Sequence, residues 1–166
     1  RRVDPGLAIE VLTPDFNDSS DAIGAVLAAR PDVFNHNLET VRRLTPGVRS
    51  RATYDRSLSV LRHAKTQGDP GLYTKSGLML GLGETEAEIR EALRDLRAVG
   101  CEILTLGQYL QPTREHLRVV EYVPPERFAA LGEEARSLGF VHVASAPKVR
   151  SSYNADGVAS LSQRPS

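Results

Sequence analysis

Thr74-Lys75-Ser76-Gly77-Leu78-Met79-Leu80-Gly81-Leu82-Gly83-Glu84-Thr85 is the stretch on which the fold turns. Ser76 to Leu80 are small or apolar and suit a strand buried on both faces, as strands of parallel sheets are. Gly77, Gly81 and Gly83 lack Cβ and let another backbone or a ligand come close. Glu84-Thr85-Glu86-Ala87-Glu88 then reads as a first helical turn with its acids at the positive end of the helix dipole. Strand, glycine turn and acid-rich helix start is the geometry of a small-molecule site. It is equally the ordinary connection of a strand to a helix in an α/β protein, so the flanking sequence has to decide.

The chain has 166 residues, 40% of them hydrophobic and 25% charged, enough for one domain core. That is short for a complete barrel. It opens Arg1-Arg2-Val3-Asp4-Pro5 without methionine, and a strand follows almost at once at Ala8 to Leu12, so the sequence is expected to enter a fold midway. Basic and acidic side chains both number 21, and aromatics are scarce, which argues against a nucleic-acid surface. No apolar run approaches the roughly 18 residues of a membrane span. The single cysteine, Cys101, excludes an internal disulfide framework and fits a reducing compartment, cytosolic or an organellar matrix.

Strand and helix patterns alternate along the chain. The first strand ends at Thr13-Pro14-Asp15, and a helix follows with Asp21 as its cap and Ile23, Val26 and Leu27 on one face. Asp32 to His36 is a second strand, Thr45 to Arg51 a loop, and Thr53 to Thr66 a longer amphipathic helix. The opening strand leads into a helix over Glu84 to Val99, then come a strand over Glu102 to Leu110, an irregular stretch to Val123, a helix after Pro124-Pro125 and a short strand over Phe140 to Ala144. The tail 154–166, rich in Ser, Gly and Pro, is expected to be mobile. This alternation predicts parallel βα units, in which ligands gather at the C-terminal ends of the strands. Asp15 and Asn17, then Asn35, His36, Asn37 and Glu39, then Gly81, Gly83 and Glu84, then Gln108, Tyr109 and Gln111 all fall at such ends. Amides and carboxylates on one rim suit a ligand with several hydroxyls and amines. His36 has no partner at metal-ligand spacing and reads as a hydrogen-bonded structural histidine, while Cys101 reads as core.

Four phrases carry a family resemblance. Val33-Phe34-Asn35-His36-Asn37-Leu38-Glu39-Thr40-Val41, Lys75 to Thr85, Gly107-Gln108-Tyr109-Leu110-Gln111-Pro112 and Arg150-Ser151-Ser152-Tyr153 resemble lipoyl synthases, in that family's order and spacing, from about Ile9 to Tyr153. Gly77-x-Met79-x-Gly81-x-x-Glu84 also resembles a looser pattern of the radical S-adenosylmethionine superfamily. The resemblance implies part of a parallel (β/α) barrel, over residues 1–153, that lacks its N-terminal strands. It implies an enzyme that inserts sulfur at C6 and C8 of an octanoyl chain on a lipoyl carrier protein, using S-adenosylmethionine, two 4Fe-4S clusters and an electron donor such as a flavodoxin or ferredoxin.

By that resemblance Asn35, Asn37 and Glu39 would hold the ribose and amino-acid portions of the cofactor, with Arg49 pairing its carboxylate. Gly77, Met79, Gly81 and Glu84 match the motif of that superfamily pattern, its glycines admitting the adenine and Glu84 fixing the turn, and Gln108, Tyr109, Leu110 and Gln111 would line the central cavity. A serine of Arg-Ser-Ser-Tyr would ligate the auxiliary cluster, Ser152 before Ser151; without the resemblance two such serines read as a turn. The family's two cysteine trios have no counterpart in this sequence, and Cys101 replaces neither. The chain by itself is therefore expected to hold no stoichiometric iron and to be inactive. Two other readings compete: a different sulfur-inserting radical enzyme, and a cluster-free α/β module that cradles a nucleotide on the glycine turn.

Overall fold

A computed structural model describes residues 7–152. Five strands, β1 (Glu10–Leu12), β2 (Val33–Asn35), β3 (Tyr73–Leu80), β4 (Ile103–Gln108) and β5 (His142–Ser145), form one sheet in the order β1-β2-β3-β4-β5. Every neighbouring pair is parallel. Five helices lie between them: α1 (Ser20–Ala28), the short α2 (Thr45–Val48), α3 (Tyr54–Gln67), α4 (Glu86–Ala98) and α5 (Pro125–Ser137).

Sequential order in a parallel sheet has a geometric consequence. Crossovers of one hand, taken in one direction, place their helices on the same face, which is barrel winding rather than the two-faced winding of an open α/β sheet. The core shows that this happened. Leu78, Leu80, Leu104, Leu106 and Val143 point outward into Leu61 of α3, Leu93 and Leu96 of α4, and Phe128 and Leu131 of α5. Phe34 packs outward on Ile23 of α1 and Val60 and Ala64 of α3. The opposite, inner face carries a small apolar group, Val33, Ile103 and Tyr73. Above it stand the polar or small Asn35, Lys75, Gly77, Thr105 and Gly107, set by strand alternation in register with one another. The described residues thus form five parallel strands wound as in a (β/α) barrel.

Three local expectations are corrected. The cap of α1 is Ser19, whose hydroxyl accepts from the Ala22 N–H; Asp21 sits inside the first turn, where its charge still suits the dipole. The stretch Thr45 to Arg51 holds the helical turn α2, steadied by the Thr45 hydroxyl donating to the Val41 carbonyl. Helix α4 starts at Glu86 rather than Glu84, because Thr85 and Glu88 form a reciprocal capping box that sets its first turn. The expected mobile tail 154–166 and Tyr153 lie outside the described residues.

Candidate functional site

The inner face opens into a cleft of about 360 Å³ at the C-terminal ends of β2, β3 and β4, a size within the range of small-molecule sites. Asn37 and Glu39 reach it from the segment after β2. Gly77 and Met79 form its floor from β3, Gly107, Gln108 and Leu110 bound it from β4, and Ser151 closes it from the C-terminal strap.

The segment after β2 keeps running beside β3. The Glu39 N–H donates to the Gly77 carbonyl and the Met79 N–H donates to the Glu39 carbonyl. Glu39 makes this turn with φ of 70°, a left-handed conformation that costs a non-glycine residue of order 1 kcal/mol and recurs at ligand sites. Burial pushes its carboxyl above the usual carboxylate range, opposed by a hydrogen bond from Asn37 and by the Arg49 charge. The Asn37 Oδ1 atom is buried without a hydrogen-bond partner. A Cβ on Gly77 would lie 2.6 Å from the Thr105 hydroxyl and 3.1 Å from that Asn37 oxygen, so glycine is what lets both polar groups reach the floor.

A buried acceptor without a donor, a partly buried carboxylate and a strand stripped of Cβ together fit a ligand that brings hydroxyl or amine donors. The adenosyl part of S-adenosylmethionine has that chemistry. The iron–sulfur clusters are different: among the described residues no group of three or more His, Cys, Asp or Glu is placed to hold a metal. Cys101 is fully buried at the other end of the strands, and burial pushes its thiol up to about 12, so it stays protonated and packs the core.

The glycine turn itself is used internally. The Glu84 carboxylate accepts from the Gly81 N–H at 2.6 Å and the Leu82 N–H at 2.9 Å. A Cβ on Gly81 would run into the Glu121 carbonyl and the Gln108 amide. Two of the donors that a phosphate cradle would need are therefore occupied, and the space at Gly81 is filled by the chain's own excursion between β4 and α5. That counts against the nucleotide-cradle reading.

The motif residues around the cleft make different contacts. Asn35 is buried one layer deeper, its amide donating to Glu10 Oε1 at 2.8 Å and its Oδ1 left without a partner. The Gln108 side chain faces the excursion, donating to the Tyr109 and Glu121 carbonyls and accepting from the Val123 N–H. The Tyr109 hydroxyl donates to the Leu117 carbonyl, and the exposed Gln111 donates to the His116 carbonyl, so both brace the same excursion. Ser151 is partly buried on the cleft wall, whereas Ser152 is exposed. Arg42 and Arg43 pair with Asp55 and Glu88.

The lining residues that lie outside the four motifs are Leu12, Thr105 and Val149. Thr105 is accessible to strand alternation, since it pairs with Gly77 in register. Val149 is not, because the crossing of β4 by the strap, residues 146–151, has no local signal.

His36 is buried, with Nδ1 3.0 Å from the Thr13 carbonyl and Nε2 3.0 Å from the Ser57 hydroxyl. Burial holds its pKa below the ordinary 6.5. The unfolded chain therefore takes up a proton at a pH where the folded chain does not, so this contribution to stability is complete above about pH 6.5 and declines as pH falls below it. Denaturant unfolding between pH 7.5 and 5.5 is expected to show that loss, reduced in His36→Asn; an equal loss in both would contradict it.

A sequential parallel sheet with one polar inner cleft is a cofactor barrel in outline, and the comparisons supply its class. The family model of the Radical SAM superfamily matches residues 1–96, and the chain belongs to that superfamily. Over nine-tenths of its length it is homologous to lipoyl synthases. It is 55% identical to that of Caldicellulosiruptor saccharolyticus, over 94% of this chain and 54% of the relative. It is 57% identical to that of Rubrobacter xylanophilus, over 93% and 48%, and 61% identical to that of Anaeromyxobacter dehalogenans, over 91% and 51%. The chain thus spans about half the length of the curated relatives it matches. Among solved structures, the radical S-adenosylmethionine methyltransferase TsrM from Kitasatospora setae aligns with a TM-score of 0.50 at 16% identity, over 64% of this chain and 22% of that one, a likeness of fold alone.

Proposed function

We propose that this chain forms the cofactor-facing part of a lipoyl synthase, an enzyme that inserts sulfur at C6 and C8 of an octanoyl chain held on a lipoyl carrier protein. The observation that carries this reading is convergence. Asn37 and Glu39, Gly77 and Met79, Gly107 and Leu110, and Ser151 come from four separate motifs and line one cleft. Bound S-adenosylmethionine would supply radical chemistry, and iron–sulfur clusters the electron and the sulfur. The residues present do the rest. Asn37 Oδ1 accepts a hydrogen bond from a hydroxyl or amine of the ligand, and Glu39 accepts another. Gly77 lets the Asn37 and Thr105 oxygens reach the floor beneath the ligand, and Met79, Leu12 and Leu110 offer apolar wall that keeps water from the reacting carbon. Ser151 is the serine on the wall, which favours it over Ser152 as the oxygen facing a bound group. With a flavodoxin or ferredoxin as reductant, the reaction belongs in a reducing compartment, the cytoplasm or an organellar matrix.

The complete natural polypeptide, reconstituted anaerobically with iron and sulfide, is expected to convert an octanoylated carrier peptide into a product heavier by two sulfur atoms, read by mass spectrometry. Asn37→Ala is expected to weaken S-adenosylhomocysteine binding about tenfold, the worth of one hydrogen bond to a buried acceptor. A product without added sulfur, or unchanged affinity in the variant, would sink the reading.

A further inference from the structure

We propose that the excursion between β4 and α5 is the docking surface for the protein that carries the acyl chain, and that it receives an acidic face of that protein. The inference rests on the sulfur-insertion reading above, in which the substrate is tethered to a protein. Residues 110–123 belong to no helix or strand, yet their backbone is fixed at several points. The Val120 N–H donates to the Gly81 carbonyl at 2.9 Å. The Gln108 amide holds both the Glu121 carbonyl and the Val123 N–H, and the Tyr109 hydroxyl donates to the Leu117 carbonyl. On this fixed frame Tyr122 is 72% exposed, Val120 68%, Leu110 51% and Leu117 45%. Single exposed apolar side chains are ordinary, whereas four on one short segment mark a surface that a partner covers. Because the backbone beneath them is already fixed, covering them costs little ordering entropy.

Two observations select the partner. Leu110 both lines the cleft and stands half exposed, so the apolar segment begins at the cleft mouth. A lysine side chain and an octanoyl group make a short tether, and a carrier whose acyl chain ends in the cleft has to rest against that rim. The charges then select the face it presents. Arg114 and Arg118 on the excursion and Lys148 on the strap are exposed and have no acidic partner among the described residues. Of the acids on the excursion, Glu121 is met by Arg127 and Glu115 is left unpaired. Apolar side chains set among unpaired cations complement a partner face in which carboxylates surround apolar residues. Tyrosine and arginine are also the side chains that most often dominate binding at such surfaces.

The test uses the complete reconstituted polypeptide and two substrates with the same octanoyl-lysine: the whole octanoylated carrier protein, and a short peptide without acidic residues, which lacks the folded face of the carrier. Tyr122→Ala and Arg118→Glu are each expected to weaken binding of the carrier about tenfold by titration calorimetry, and to leave the single-turnover rate of sulfur insertion into the peptide unchanged. Carrier binding by the parent is expected to weaken with added salt, and less steeply in Arg118→Glu. Unchanged carrier binding in both variants, or an equal slowing with the peptide, would overturn the docking role, and indifference of the parent to salt would overturn the acidic face. A parent that is dimeric while the variants are monomeric would assign the segment to a second copy of the chain instead. If the parent inserts sulfur into neither substrate, the sulfur-insertion reading falls and takes the docking surface with it.

Discussion

Glu10→Gln is expected to cost this fold about 3–5 kcal/mol, the penalty for leaving a buried charge without its partner. The Lys75 side chain is 1% exposed, and its ammonium is 2.9 Å from each oxygen of Glu10. Glu10 is 18% exposed and also accepts from Asn35. The two partners are therefore unequal. Removing the carboxylate's charge leaves an ammonium that no water reaches, whereas Lys75→Met leaves a carboxylate at the sheet edge that can hydrate. Lys75→Met should be the milder change, and the double variant Glu10→Gln/Lys75→Met should recover most of the loss, because exchanging a whole buried pair for less polar groups is often nearly neutral. Urea unfolding of the four proteins measures this. A Glu10→Gln cost no larger than that of Lys75→Met would overturn it.

In the complete reconstituted polypeptide of the proposed function, Gly107→Ala is expected to lower sulfur insertion about a hundredfold, since misplacing a site by about 1 Å can cost that much, and to lose about 1–3 kcal/mol of stability to overpacking. A Cβ at Gly107 would run into the Val149 carbonyl oxygen. That carbonyl belongs to a strap tied down at both sides: the Ala146 N–H donates to the Leu106 carbonyl and the Gln108 N–H to the Pro147 carbonyl. Arg150 then folds back to donate to the Val149 carbonyl at 2.8 Å. The clash is a Cβ fixed by the backbone against a backbone carbonyl, so no side chain can rotate away from it. The strap must lift, and Ser151 on the cleft wall lifts with it. Gly24→Ala is the control, because its Cβ would meet nothing within 4 Å inside helix α1, and it should gain about 0.5–1 kcal/mol. Equal activity in the two variants would show that the strap does not shape the site.

Much of the architecture is legible in the residues alone. Alternating strand and helix patterns predict parallel βα units, and the parallel five-stranded sheet has them. The apolar positions of α4, Ile89, Ala92, Leu93 and Leu96, recur at helical spacing and are its buried face. His36 reads as a hydrogen-bonded histidine because it lacks metal partners, and it makes two buried hydrogen bonds. The boundaries are less legible where two polar residues compete for one role, as Ser19 does with Asp21 for the cap of α1 and Thr85 with Glu84 at the start of α4. In each case the residue whose side chain reaches the third N–H of the helix takes the cap, a geometry that composition does not reveal.

Periodicity and local residue chemistry, which act over a few positions, were enough to predict parallel βα units with polar residues at the strand ends, and four motifs tied the chain by resemblance to the radical S-adenosylmethionine superfamily and to lipoyl synthases. Which motif residues meet was decided only when the chain packed. Packing buried Asn35 a layer below the cleft and turned the Gln108 amide toward the excursion. It also seated the strap on Gly107, with Ser151 rather than Ser152 on the wall. Each of those outcomes depends on a contact between segments distant in sequence, where the direction of a side chain is set by what packs against it and not by its neighbours along the chain.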